Sequence, residues 1–520
     1  RTHHCGELRR EHTAQSVVLC GWVESVRQIS SGLAFVPLHD RDGVTQLVFE
    51  STAELAVQWP ILQTLTAQDV ICVEGEVRTR PDSTIKRNIS TGEIEVVVRA
   101  IERLNEAVHL PFLPTSTKLP SEEIRLRHRY IDLRRRVLQD NLRHRSAIIN
   151  AARHILLDKG FIEVETPMLF KSTPEGAREY IVPTREHGEF FALSQSPQQC
   201  KQMLMAAGID KYFQVARCFR DEDLRADRQP EFTQLDLEMA FVTKEQVMSL
   251  VEDAVRAMWR TMHSTDVTFR HLSFAEALSK YGSDKPDTRY GMRASQVGGI
   301  GHCSSRLTIH TRQSQICQLP STQEGMVTDW LCIQQGAQLS AKALAAVRGL
   351  LVIDPGRFDF LWITDFPLFT YDPKSSRLQS THHPFTAPMD DDVALLDTHP
   401  EQVRGQHYDL VLNGMEVGGG SIRVHRPELQ RHIMQHILKL NDIELGRFQH
   451  LLDALGSGCP PHGGFAIGLD RIVSILCNAS SIRDVIAFPK SAGGRDLTVG
   501  CPSSVEQTQL EQVGLAALTK

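Results

Sequence analysis

Residues 211–242 read KYFQVARCFRDEDLRADRQPEFTQLDLEMAFV. Two runs of alternating character flank a charged centre, the pattern of two strands joined by a long loop. In the second run Phe232, Gln234, Asp236 and Glu238 share one face, while Thr233, Leu235, Leu237 and Met239 share the other. The second set packs on a core. The first places a ring, an amide and two carboxylates on one surface, a combination that a solvent-facing strand seldom carries, so this face lines a pocket. The first run ends in Phe219-Arg220-Asp221-Glu222, which delivers a guanidinium and a carboxylate to the same region. Arginine grips phosphate through two parallel hydrogen bonds. Phe232 offers a ring to stack on, and Glu222 can accept from an exocyclic amine. That set suits a nucleotide. A solvated surface hairpin is the plainer reading of such a charge run, and the rest of the chain decides between the two.

Downstream, residues 461–471 (PHGGFAIGLDR) read as a glycine-flanked strand turning into a helix, with Arg471 at the turn. Residues 408–413 and 416–424 form a hairpin about Asn413-Gly414. Asp409 and Glu416 offer oxygen ligands of the kind Mg²⁺ shares with substrate phosphates. Seven residues separate Glu416 from Arg423, so a regular strand points them to opposite faces; a bulge at Gly418-Gly419-Gly420 would restore a common face. Arg423 in a pocket suits a carboxylate partner, because an unpaired buried guanidinium is costly. Residues 360–369 form an apolar strand, and His382-His383 follow in a loop, where one histidine contacting a ligand is expected rather than a shared metal. His432 and His436 have metal-like spacing but no third ligand in sight.

Upstream, residues 172–177 are turn-rich and carry Glu175, a loop of the sort that closes over a small ligand. Ser196-Pro197 starts a helix with Gln198 and Lys201 at its mouth, where backbone N–H groups and a lysine receive polar or anionic atoms, although Lys201 is equally suited to the surface. Residues 121–159 read as one long helical region stopped by Gly160. Its ten Arg and Lys against five Asp and Glu give a local charge of +5, which fits a nucleic-acid stripe or a face laced with ion pairs. Residues 245–262 and 271–281 read as two more helices. The sequence gives no assignment from about 288 to 358.

The amino-terminal part reads as five short strands, near 17–27, 33–41, 45–50, 70–80 and 93–104, with a helix over 53–65. That order suggests an OB barrel, whose face binds single-stranded nucleic acid by stacking and edge contacts. Phe35 is the candidate stacking platform, with Arg27 and Gln46 to read base edges and Glu93 to accept from an amine; the plainer reading keeps Phe35 in the core. A proline-bearing linker follows, so the expected division is 1–104, linker 105–120, then 121–287, 288–358 and 359–520.

Composition bounds the rest. A chain of 520 residues, 41% hydrophobic and 23% charged, holds two to four ordinary globular domains. It has no apolar run of about 18 residues, the length a membrane span needs. Eleven cysteines without a Cys-x-x-Cys pair point to a reducing compartment and away from structural zinc. With a net charge of −6, any polyanion must be met by locally concentrated basic residues. The chain opens on Arg1, not Met, from which a trimmed leading segment is expected.

Arg220-x-Glu222 with Arg228-x-x-x-Phe232 resembles motif 2 of the class II aminoacyl-tRNA synthetases, and FRDEDLRADRQPEFTQLD resembles its aspartyl version. KGFIEVETPML (159–169) resembles motif 1, PHGGFAIGLDR resembles motif 3, and GSDKPD (282–287) is again aspartyl-like. The resemblance implies an α+β multidomain chain: an N-terminal five-stranded OB-fold barrel that holds an anticodon through Arg27, Phe35, Gln46 and Glu93, then a catalytic domain on an antiparallel β-sheet flanked by helices, with an inserted domain. It implies ATP held by Arg220, Glu222, Gln229, Phe232, Glu416 and Arg471, with Arg220, Arg471 and Glu222 the catalytic set and Mg²⁺ on Asp409 and Glu416. Aspartate would be surrounded by Glu175, Ser196, Gln198, Lys201, Asp236, His382 and Arg423. The implied activity is aspartate–tRNA ligation to tRNA(Asp) by a homodimer joined through motif 1. Asparaginyl-tRNA synthetase and a catalytically silent tRNA-binding relative are the alternatives; two pocket cations argue against the first and the intact arginines and carboxylates against the second. Residues 406–414 and 481–490 look more like mitochondrial members than bacterial ones, which implies the mitochondrial matrix, with a bacterial cytoplasm as alternative.

Overall fold

The computed structural model describes residues 1–516 apart from 53, 54, 56, 174, 175, 223–226, 291, 292, 297–305, 311–330, 335–355, 374 and 375. It divides into two compact units, Arg1–Arg143 with Ile486–Ser503, and His144–Val485 with Ser504–Lys520.

In the first unit, β1 (Ser16–Val23), β2 (Arg27–Ser30), β3 (Leu33–His39), β4 (Val44–Glu50), β5 (Val70–Thr79) and β6 (Ile94–Asn105) run in the order β1-β5-β6-β4-β3-β2. Pairing of β1 with β3, Trp22 opposite His39 and Val23 opposite Leu38, closes the sheet. Counted with β1 and β2 as one bent strand, this is a five-stranded OB barrel. Alternation explains it: Val17, Leu19 and Val23 of β1 and Ile71, Val73 and Val77 of β5 turn into a core that also takes Leu47, Phe49, Val96 and Val98. The expected strand over 17–27 breaks after Val23. At that point the Val23 backbone bonds to Gln68 and Asp69, and β1 pairs with β5 on one side and β3 on the other. The helix expected over 53–65 is short, Trp59–Gln63, with 53, 54 and 56 outside the described residues.

The single helix expected over 121–159 is three: Glu122–Arg127, Arg129–Asp132 and Arg136–Asp158. The breaks surround Asp132, whose buried carboxylate accepts from Arg129 (2.8 Å) and Arg135 (3.1 Å) with Arg125 at 3.5 Å. Arg127, Arg136 and Arg153 pair with Glu123, Asp140 and Glu163. The positive excess is therefore largely a face of ion pairs.

The second unit is built on an eight-stranded sheet. Its strands are β7 (Ile162–Glu163), β8 (Lys211–Phe219), β9 (Glu231–Ala240), β10 (Phe269–Ser273), β11 (Phe360–Thr364), β12 (His407–Leu412), β13 (Met415–Ile422) and β14 (His462–Gly468). The order is β10-β11-β12-β13-β14-β9-β8-β7, antiparallel except at the two edges. The helix expected over 271–281 is a strand and then a helix: Ser273 caps Phe274–Tyr281 by accepting from Glu276 N, so the helix cannot begin earlier. One face of the sheet carries the core, where Leu235, Leu237, Trp362, Tyr408, Phe465 and Ile467 meet Val247, Val251, Val255 and Met258 of the helix α1 (Lys244–Arg260) and Ile148, Ala152 and Leu156 of the long helix. Of the region 288–358, the backbone of three short strands is described, Arg293–Gln296, Arg306–His310 and Leu331–Gln334, paired antiparallel in that order. No helix among the described residues is long and apolar enough to cross a membrane.

Candidate active site

β9 decides the site. Its apolar side chains go to the core, and the opposite face supplies Phe232, Gln234 and Asp236 to a cavity of about 680 Å³. Thr233 also reaches the lining, and its backbone N–H donates to Asp470 Oδ2 at 3.0 Å. Arg145 holds the other oxygen of Asp470 at 2.6 Å, so the carboxylate before Arg471 is fixed from two sides. Asp470 and Arg471 open the helix α2 (Leu469–Leu476) where β14 ends.

At one end of the cavity the Arg220 guanidinium lies 5.2 Å from the centre of the Phe232 ring, with Nε buried and unbonded among the described residues. Glu222 accepts from Arg228 at 2.6 Å, and Gln229 is buried beside them. Arg471 donates to the Glu416 carbonyl (2.5 Å) and to Asp227 (3.2 Å). The loop residues 223–226 lie outside the described set, as does Glu175.

The β12–β13 turn is made by Asn413 and Gly414, both in the left-handed region at φ 52° and 81°. The expected bulge is present but one residue early. Leu410 opposes Gly418 and Val411 opposes Glu416, so Val417 is the extra residue, and Glu416 and Arg423 both line the cavity. Lys285 reaches Glu416 at 2.5 Å. Asp409 sits behind the lining against Gly419, where a Cβ would meet its Oδ1 at 2.7 Å. Burial, and then the charge of Glu416, push the Asp409 carboxyl well above the ordinary range. Asp409 behind the lining and Glu416 on it offer carboxylate oxygens of the kind a hard divalent cation takes.

The other end is a buried charge network. Lys201, on the helix α3 (Gln198–Ala206), binds Asp236 at 2.9 Å and Glu238 at 3.1 Å. Arg423 donates to Glu238 from Nε (3.0 Å) and Nη2 (3.2 Å), and from Nη1 to Ser421 (2.6 Å) and His383 Nε2 (2.5 Å). All four charged side chains are at most 2% exposed. The sequence reading gave Arg423 to a substrate carboxylate; its bidentate partner here is Glu238, because a buried guanidinium needs a counter-charge at all times. Burial would raise the Glu238 carboxyl, but the charges of Arg423 and Lys201 outweigh it and hold the group at about 2. Burial raises Asp236. His382 and His383 both line the cavity, and burial, then the neighbouring histidines and cations, holds both neutral. His382 lines the cavity as expected and His383 does so beside it, since a loop has no strand alternation to separate them; it is His383 that touches Arg423.

Sequence patterning does not single out His383, Lys285, Asp227 or Asp470, all of which line the cavity, and Glu238 stands outside the expected binding set although alternation puts it on the pocket face. Ser196, Gln198 and Lys201 fall where expected, on the cavity wall. In the barrel, Phe35 points outward and lies opposite Arg27, and Gln46 lies opposite Pro37 on the same face, donating to Glu95 at 3.1 Å. Glu93 is exposed, 3.9 Å from Arg10. His432 pairs with Asp397 at 2.9 Å.

Residues 121–492 match the class II tRNA synthetases for D, K and N, and residues 17–104 match the OB-fold nucleic acid binding domain. The mitochondrial aspartate–tRNA ligase of Dictyostelium discoideum is 37% identical, over 99% of this chain and 89% of that protein. The chain belongs to the aspartate–tRNA ligase family of class II synthetases. The aspartate–tRNA(Asp/Asn) ligase of Opitutus terrae is 40% identical over 99% of this chain and 98% of its own length, and the human mitochondrial aspartate–tRNA ligase is 40% identical over 98% and 90%. Among solved structures, the asparaginyl-tRNA synthetase of Pyrococcus horikoshii complexed with asparaginyl-adenylate superposes with a TM-score of 0.68 over 94% of this chain and 98% of that one. At 19% identity it shares the synthetase fold.

Proposed function

We propose that the enzyme joins L-aspartate to ATP as aspartyl-adenylate, releasing pyrophosphate, and then transfers the aspartyl group to the 3′ end of tRNA(Asp). The observation that carries this reading is a single cavity with nucleotide-type groups, Arg220, Phe232 and Arg471, at one end and the Lys201–Asp236–Glu238–Arg423 network at the other. The aspartate carboxylate attacks the α-phosphorus and the P–O bond to pyrophosphate breaks, so no side chain forms a covalent intermediate. Arg220 holds the α-phosphate, Glu222, Gln229 and Phe232 the adenosine, and Arg471 the γ-phosphate. Catalysis then rests on positioning and on charges already in place before the reaction. Asp409 and Glu416 would hold Mg²⁺, which supplies charge neutralisation on the phosphates.

The substrate side-chain carboxylate is received by Lys201 and Arg423. Nη1 of Arg423 now donates to His383, a neutral acceptor, and a carboxylate is the stronger partner for that edge. Ser196, Gln198 and Asp236 face the ammonium group. Arg423→Leu should abolish aspartate-dependent ATP–pyrophosphate exchange while ATP binding is kept; exchange near the wild-type rate would remove this pocket assignment.

A second copy of the chain covers exposed apolar residues of the motif 1 region, Ile162, Met168 and Leu169, which are 48–52% exposed. Exposed large apolar residues at and just after the motif 1 segment fit a partner there. Relatives of similar identity are mitochondrial and bacterial, and the mitochondrial look of residues 406–414 and 481–490 favours the matrix.

A further inference from the structure

Behind the amino-acid end of the cavity runs a buried chain of hydrogen bonds that starts at His462, outside the cavity lining. His462 opens β14 with no exposed surface, and its Nδ1 lies 2.8 Å from the Pro460 carbonyl. A carbonyl oxygen only accepts, so Nδ1 carries the proton and Nε2 keeps the lone pair. Gln202, also fully buried, places its Nε2 at 3.1 Å from His462 Nε2. That contact needs a donor, which the Gln202 amide nitrogen supplies, and its Oε1 is thereby turned the other way. Gln198 Nε2 donates to this Oε1 at 3.0 Å. Each choice forces the next one. At the end of the chain Gln198, on the cavity wall, has its NH₂ committed inward, while its Oε1 has no hydrogen bond among the described residues.

We propose that His462 is a positioning residue: its tautomer, relayed through Gln202, sets Gln198 to present an oxygen acceptor to the ammonium group of the amino-acid substrate. The inference rests on the reading of this end of the cavity as the aspartate pocket. The opposite tautomer would reverse both amides in turn and aim N–H groups at a cation. A partly satisfied buried chain is costly, so His462, Gln202 and the inward edge of Gln198 hold one another in the order that the Pro460 carbonyl starts, and only the cavity-facing oxygen of Gln198 is left for a ligand.

The test is steady-state ATP–pyrophosphate exchange for the full chain and the variants Gln198→Leu, Gln202→Leu, His462→Leu, His462→Gln and the double His462→Leu/Gln202→Leu. Loss of the relay should raise KM for aspartate about tenfold or more, the scale of a misdirected hydrogen bond to a charged group, and leave KM for ATP unchanged. The double variant should be no worse than either single one, and His462→Gln, whose amide oxygen can still accept from Gln202, should recover part of the loss. Equal rises in both KM values, or additive losses, would overturn the relay and leave His462 a packing residue. If Gln198→Leu itself leaves KM for aspartate unchanged, the pocket reading fails instead. Should the His462→Leu chain not fold, ¹⁵N-histidine NMR of the wild-type protein decides directly: an Nδ1–H resonance for His462, assigned by its loss in His462→Gln, supports the proposal, and an Nε2–H form overturns it.

Discussion

At the residue scale the account turns on Glu238. It is the shared counter-charge of Lys201 and Arg423, so Glu238→Gln leaves two buried cations short of a partner and should cost about 3–5 kcal/mol of stability at neutral pH, read by chemical denaturation. Its carboxyl is depressed from 4.5 to about 2, so its contribution is present in full above 4.5 and fades as the pH falls towards 2. The gap between wild type and Glu238→Gln should therefore narrow through that window; a gap independent of pH would mean that the charge is not what matters. The alternation of residues 232–239 had placed Glu238 on the pocket face. Its pairing with Arg423 was not legible, because the partner lies 185 positions on, just past the end of β13, and nothing local in either segment names the other. His383 was hidden for a related reason: loop residues have no period from which to read direction. Gln202 stands four residues from Gln198, one helical turn away, but only the buried histidine beneath it shows why that matters.

At the element scale the decisive feature is the extra residue in β13. With Val417 in place, Glu416 and Arg423 line the same cavity across an odd spacing. Inserting one residue directly after Val417 lengthens the spacing by one while a single bulge remains, which turns Glu416 away from the side that Arg423 occupies. Exchange activity should fall by on the order of 10²-fold, the loss expected from misplaced catalytic groups, while far-UV circular dichroism stays native; retained activity would show that Glu416 is not needed where it stands. The odd spacing was visible in the sequence, and so was a bulge near the glycines. The helix breaks around Asp132 were not, since helical periodicity runs through 121–159 without a proline or glycine, and the interruption comes from three arginines converging on one buried carboxylate.

At the scale of the molecule, the barrel and the catalytic unit perform separable tasks. Phe35 is on the outer face of the barrel beside Arg27. Phe35→Ala should weaken tRNA charging by the loss of one base stack, about 1–3 kcal/mol, and spare pyrophosphate exchange; an equal loss in both reactions would remove the barrel from anticodon recognition. The barrel order and the motif-bearing strands were legible because alternation and turn residues are local. Most of 288–358 offered no such pattern. The central claim is that this cavity activates aspartate, and ATP–pyrophosphate exchange with aspartate and asparagine in parallel tests it most directly. The account predicts exchange with aspartate alone. Exchange with asparagine, or with neither amino acid in a folded protein that still binds tRNA, would contradict it.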